Sequence, residues 1–185
     1  MERVSIDEVE PTPDDDCHSD RRALADPLGT SNVAITRYVL EPGERFSGSV
    51  HTHMDQEEVF LVLEGTVTFE LRRDRSSSNG EDGDDRSGDG NAPSSNGNEI
   101  SVDAGEAIRF APGEFQSGKN DADETVVAFA LGAPKNSDDV RISRIPTLDD
   151  RTIGCPECGL EHMGISSGTE SELVCPDCGA TMDVE

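Results

Sequence analysis

The chain has no tryptophan and a single tyrosine, and aromatic residues fill only 4% of its 185 positions. With hydrophobic residues at 32%, any core has to be built from Val, Ile, Leu and six Phe. Lysine is almost missing too: Lys119 and Lys135 are the only two, and 15 basic residues face 40 acidic ones. The resulting formal charge of -25 argues against nucleic-acid binding, which needs clustered Lys and Arg to displace counterions. No run of about 18 apolar residues occurs, so no membrane-spanning helix is expected. Residues 1–7 hold no apolar signal region, and a cytoplasmic location is the expectation. A helical hydrophobic period is missing as well. Short β-like segments separated by turns predict an all-β barrel or sandwich.

The length suits one ordinary domain and one small one. Residues 1–30 read as a short edge strand through Val4, Ile6 and Val9, followed by an acidic loop. In that loop Cys17 and His18 are expected at the surface without a role. Residues 31–145 read as the barrel and 146–185 as a separate small unit. Within the barrel, 72–98 is Asp, Gly, Ser and Asn with hardly an apolar residue. Such a segment cannot bury enough surface to offset its ordering entropy, and it is expected to be a disordered, solvated insertion between two hairpin strands. The surface composition, acidic and nearly free of lysine, resembles that of proteins from salt-accumulating halophiles.

The chemistry concentrates around His51, His53 and Glu58. Two histidines at i and i+2 face the same way only on an extended backbone. The run from Val59 to Leu63 reads as a buried strand, on which Glu58, Phe60 and Val62 share a face. Glu58 is thus a carboxylate on an apolar stripe, costly unless compensated. Two imidazoles and a carboxylate aimed inward from neighbouring strands suit a divalent metal. Glu57 should face the opposite side.

His51, His53, Glu58 and Gly65 stand at the spacing H-x-H, four residues, Glu, six residues, Gly. This resembles the first motif of the cupins. An altered form of the second runs from Gly105 through Gly113 to Asn120, with its proline displaced to Pro112. Gly43 lies two residues upstream of the usual glycine. The resemblance covers residues 33–131 and implies a small antiparallel jelly-roll barrel. Gln116 stands where most cupins carry a third histidine, and the resemblance makes its amide oxygen the fourth ligand. An amide in place of an imidazole hardens the site, away from copper and towards Fe(II), Mn(II), Ni(II) or Zn(II).

A second constellation is Cys155-Pro-Glu-Cys158-Gly and Cys175-Pro-Asp-Cys178-Gly, with sixteen residues between the pairs. Each C-P-x-C-G resembles a zinc knuckle, and the pair matches a Cys₄ zinc ribbon. Zinc is preferred to a rubredoxin-like iron because the connection is short and lacks aromatics. A closed Cys₄ site is structural, and so small a unit should depend on the ion to fold.

Two functions stay open from the residues. One is a metal-dependent enzyme on a small molecule, similar to cupin dioxygenases or isomerases. The other is a non-catalytic ligand-binding or sensory barrel whose ribbon contacts a protein partner. Phe60, Val62, Phe110 and Phe115 are expected to face the pocket and suggest a partly apolar ligand. The resemblance also implies a homodimer through edge strands.

Overall fold

Alternation of apolar and polar side chains sorts this chain into strands, and a computed structural model describes residues 1–14, 17–73, 99–166 and 172–184. The barrel strands are β1 (Asp20–Ala23), β2 (Ala34–Leu40), β3 (Val50–His53), β4 (Glu57–Glu64) and β5 (Thr66–Arg73). They continue with β6 (Glu99–Asp103), β7 (Ala107–Phe110), β8 (Glu114–Lys119), β9 (Val126–Ala133) and β10 (Val140–Ile145). Four short strands follow: β11 (Arg151–Thr152), β12 (Met163–Ile165), β13 (Glu172–Val174) and β14 (Thr181–Asp183). One sheet has the order β1-β2-β9-β4-β7; the other runs β14-β13-β12-β10-β3-β8-β5-β6, with β11 beside β10. All pairings are antiparallel, and the fold is an all-β jelly-roll barrel followed by a cysteine-clamped ribbon. No helix among the described residues is long and apolar enough to cross a membrane.

The core lies between the sheets. Phe60 and Val62 of β4 are buried while Leu63 is exposed, as the period-2 pattern requires. Four of the six phenylalanines form its centre, with ring centroids 4.9 Å apart for Phe46–Phe60, 5.0 Å for Phe60–Phe69 and 5.2 Å for Phe69–Phe110. Gly118 makes this packing possible: a Cβ there would lie 2.6 Å from both Phe46 and Phe69.

Four expectations are corrected. Val4, Ile6 and Val9 form no strand; a 3-10 turn occupies Ile6–Glu8. Arg22 Nη1 donates to the carbonyls of Ile6, Asp7 and Val9, which takes them out of any ladder. The edge strand is β1 instead. Cys17 and His18 are buried, not at the surface, because the His18 ring packs edge-on against Tyr38 at 5.2 Å. Phe115 does not face the pocket. It alternates with inward Gln116 and is covered from outside by His162, 5.5 Å away. The hairpin of β5 and β6 brackets the acidic insertion; Arg72 and Arg73, expected within it, belong to β5 instead, and residues 74–98 lie outside the described ones.

The ribbon is built into the barrel sheet. On one edge β10 pairs with β3, placing Ile142 opposite His51; on the other it pairs with β12, placing Ile142 opposite Met163. Ile145, Ile153, Met163 and Leu173 form a second, small core, against which Ile142 packs.

Candidate metal centres

Strand register brings the barrel residues together. β3 buries Val50 and Thr52 on one face and turns half-buried His51 and His53 to the other. Its neighbour β8 sets Gln116 directly opposite His51. From the facing sheet, β4 contributes Glu58. One nitrogen each of His51 and His53 and one oxygen of Glu58 lie within 4.8 Å of one another. Gln116 Nε2 donates to Glu58 Oε2 at 3.0 Å, and His53 Nε2 is 3.6 Å from Glu58 Oε1. All four side chains converge. Glu57 faces outward to Arg109.

The imidazoles are prepared as ligands. His51 Nδ1 lies 3.2 Å from the Ser49 carbonyl and 3.2 Å from Ser47 Oγ. A carbonyl only accepts, so Nδ1 carries the proton and the Nε2 lone pair is left for the pocket. Burial pushes the His53 pKa below its usual 6.5, assisted by His51 and opposed by Glu58 and Asp55. His53 is therefore neutral at pH 7. Its Nδ1 is buried without a partner among the described residues. Glu58, with a side chain only 16% exposed, pairs with no Lys or Arg among them. A neutral imidazole at His53, a His51 Nε2 lone pair left for the pocket and an inward carboxylate with no Lys or Arg partner among the described residues fit a divalent cation.

The site forms one wall of a cavity of about 420 Å³, also lined by Arg21, Tyr38, Phe46, Phe60, Ser137 and Lys135. Of the four aromatic and aliphatic residues expected there, Phe60 is a lining residue, while Val62 and Phe110 belong to the core beneath. Arg21 and Tyr38 carry no local cue in the sequence, because β1 and β2 reach the cavity only through sheet pairing.

The second cluster is formed by Cys155, Cys158, Cys175 and Cys178, whose sulfurs lie within 4.8 Å of one another. Both knuckles close identically. The N–H of Gly159 donates to Cys155 O and that of Gly179 to Cys175 O, while Cys155 N and Cys175 N donate to the carbonyls of Leu160 and Ala180. Gly159 and Gly179 sit at φ +77° and +75°, a region that favours glycine. The Cys155–Cys178 and Cys158–Cys175 sulfurs are each 3.5 Å apart, too far for disulfides and close to the roughly 3.8 Å edge of a tetrahedron with 2.3 Å Zn–S bonds. The backbone N–H of Cys158 stabilises the Cys155 thiolate and holds its pKa at about 6. At Cys158 the Leu160 N–H acts in the same sense, but Cys155 and Cys175 outweigh it and push the thiol up to about 12. Four sulfurs this close cannot all ionise unless a cation sits among them, and the donor set fits zinc.

The sequence matches no protein-family model and no curated protein. Solved structures do match in fold. A sugar phosphate isomerase of the cupin superfamily from Silicibacter pomeroyi is similar over 98% of this chain and 92% of that one, at 16% identity and a TM-score of 0.54. An oxalate oxidase in complex with glycolate is similar over 75% of this chain and 61% of that one, at 16% identity and a TM-score of 0.51. A predicted oxalate decarboxylase from Thermotoga maritima is similar over 71% of this chain and 98% of that one, at 16% identity and a TM-score of 0.50. The likeness is one of fold, and the barrel is a cupin barrel.

Proposed function

We propose that this chain is a metal-dependent cupin that acts on a small molecule, with His51, His53 and Glu58 holding a divalent ion and Gln116 completing its protein ligands. The observation that carries the reading is the convergence of these side chains at the wall of a cavity large enough for a small ligand. Fe(II), Mn(II), Ni(II) and Zn(II) suit the donor set, and a structural zinc suits the four cysteines. Reactions of the isomerase or oxidase kind, named among the proteins of like fold, are the classes proposed.

When bound, the ion would act as a Lewis acid towards an oxygen of the ligand. The protein's own groups do the rest. Ser49 and Ser47 hold the His51 ring at a fixed angle. The Gln116 amide donates to Glu58 and is neither an acid nor a base near neutral pH, so it positions and does not catalyse. Tyr38, kept protonated by burial, is the hydroxyl in the cavity wall able to hold or deliver a proton. Phe46 and Phe60 exclude water from that wall.

The absence of a third imidazole favours a second reading, a barrel that binds its ligand without turning it over, with the ribbon as the contact for a protein partner. Equilibrium dialysis against Mn(II) tests the metal site itself and does not choose between the two readings. The wild type should take up one ion in the barrel, His51→Ala should lose it, and Gln116→His should bind at least tenfold more tightly. Uptake unchanged in His51→Ala would refute the site. Turnover of small hydroxy acids or sugar phosphates by the loaded wild type, absent in His51→Ala, then selects the enzyme reading.

A further inference from the structure

The cavity reverses the charge balance of the chain. Acidic residues outnumber basic ones 40 to 15 overall. Around the cavity, however, Arg21 and Lys135 stand against a single carboxylate, Glu58, which is already engaged by Gln116 and His53.

The two cations differ. Lys135 Nζ donates to Asp26 Oδ1 at 2.6 Å and to the Thr30 carbonyl at 3.0 Å, so much of its charge is compensated. Arg21 Nε donates to the Tyr38 hydroxyl at 3.2 Å and Nη1 to Thr12 Oγ1 at 2.9 Å, and both acceptors are neutral. No carboxylate pairs with Arg21 among the described residues. The acid available on that strand is taken by its neighbours: Asp20 pairs with Arg22 at 2.9 Å and with Arg37 at 3.7 Å. In a chain so rich in carboxylates, a guanidinium steadied by two neutral oxygens beside a cavity keeps its charge for something else.

Tyr38 completes the arrangement. Its oxygen accepts from Arg21, which leaves the O–H to donate. A phenol donor and a guanidinium fork on one wall match the acceptors of an oxyanion, and water-poor walls of Phe46 and Phe60 strengthen such bonds.

We infer that the cavity takes a small organic molecule bearing an oxyanion, carboxylate or phosphate, anchored by Arg21 and the Tyr38 hydroxyl. The inference rests on the reading of this cavity as the ligand site, and it adds the charge class of the ligand. The long-range field of the acidic surface repels anions, so the local fork is what makes their entry favourable.

Calorimetric titration tests it, with succinate and glucose 6-phosphate as probes and succinamide and glucose as their neutral counterparts, all at one potassium chloride concentration. At least one anion should bind the wild type tenfold or more tightly than its neutral counterpart. Arg21→Gln should abolish that tenfold preference, Arg21→Lys should keep part of it, and Tyr38→Phe should reduce it several-fold. The probe that shows the Arg21 dependence tells carboxylate from phosphate. Binding of neither anion, or anion affinity within twofold of wild type in Arg21→Gln, overturns the inference. Should the Gln variant fail to fold, Arg21→Lys with unchanged affinity, together with an unchanged Tyr38→Phe, overturns it equally. Mn(II) uptake measured on the same samples, and anion titration of His51→Ala, keep the two questions apart. Arg21-dependent binding that survives loss of the metal supports the anion site even where the metal reading fails.

Discussion

Asp55 shows how a single side chain fixes a segment that lines the cavity, the one carrying Ser137. It follows the histidine strand by two residues, and its carboxylate accepts from Ser137 Oγ and from the backbone N–H of Asp138 at 2.8 Å. These donors, Ser137 first, hold its pKa below the ordinary 3.8. A carboxyl with a depressed folded pKa contributes stability that is present above the unfolded value and lost as pH falls through the folded one. The protection factor of the Asp138 amide should therefore fall below about pH 4, and Asp55→Asn should lower it at every pH. A protection factor at Asp138 indifferent to pH and to the substitution would refute this role. The residue scale is also where the sequence was most legible. His51, His53 and Glu58 could be placed because period-2 alternation and the burial cost of a carboxylate are local facts. Arg21 and Tyr38 were not, since their positions beside the cavity depend on β1 pairing with β2 and β2 with β9, and such long-range pairing leaves no local mark.

Among the elements, β10 matters most. Its two edges pair with the strand of the histidines and with the ribbon, so the barrel site and the cysteine-bearing unit are linked through one strand. His162 of the ribbon covers Phe115 and lies 3.3 Å from Arg141 Nη1, and Glu161 pairs with Arg72 at 3.0 Å. Cys158 is exposed and can be changed without opening the core. We expect Cys158→Ser to abolish zinc binding by the four-cysteine cluster, to raise hydrogen exchange in β10 and to weaken Mn(II) binding in the barrel several-fold. Barrel affinity within error of wild type would show that the two centres are energetically separate. Deleting the ribbon outright is a poorer experiment, because it strips the cover from Phe115. The cysteine spacing made the ribbon readable in the sequence; its docking was not readable, because β12 is three residues long with Gly164 at its centre and carries no pairing signal.

For the whole molecule the dominant fact is a formal charge of -25 on 185 residues. Surface ion pairs such as Arg109–Glu57 and Lys119–Asp121 offset little of it, since exposed pairs contribute roughly 0–1 kcal/mol each. Self-repulsion is relieved by screening, whose range falls from about 30 Å at 0.01 M salt to about 3 Å at 1 M. The melting temperature should climb with potassium chloride over that interval; a flat profile would mean that charge repulsion does not limit stability.

All of this depends on one point in space, where imidazoles from β3, a carboxylate from β4 and an amide from β8 come within reach of a common ion. Anomalous diffraction from Mn(II)-loaded crystals tests it most directly. A peak bonded to His51, His53 and Glu58, with the Gln116 amide turned so that its oxygen faces the ion, is the predicted result. Density that leaves Glu58 accepting from Gln116, with no anomalous peak beside it, would contradict the account.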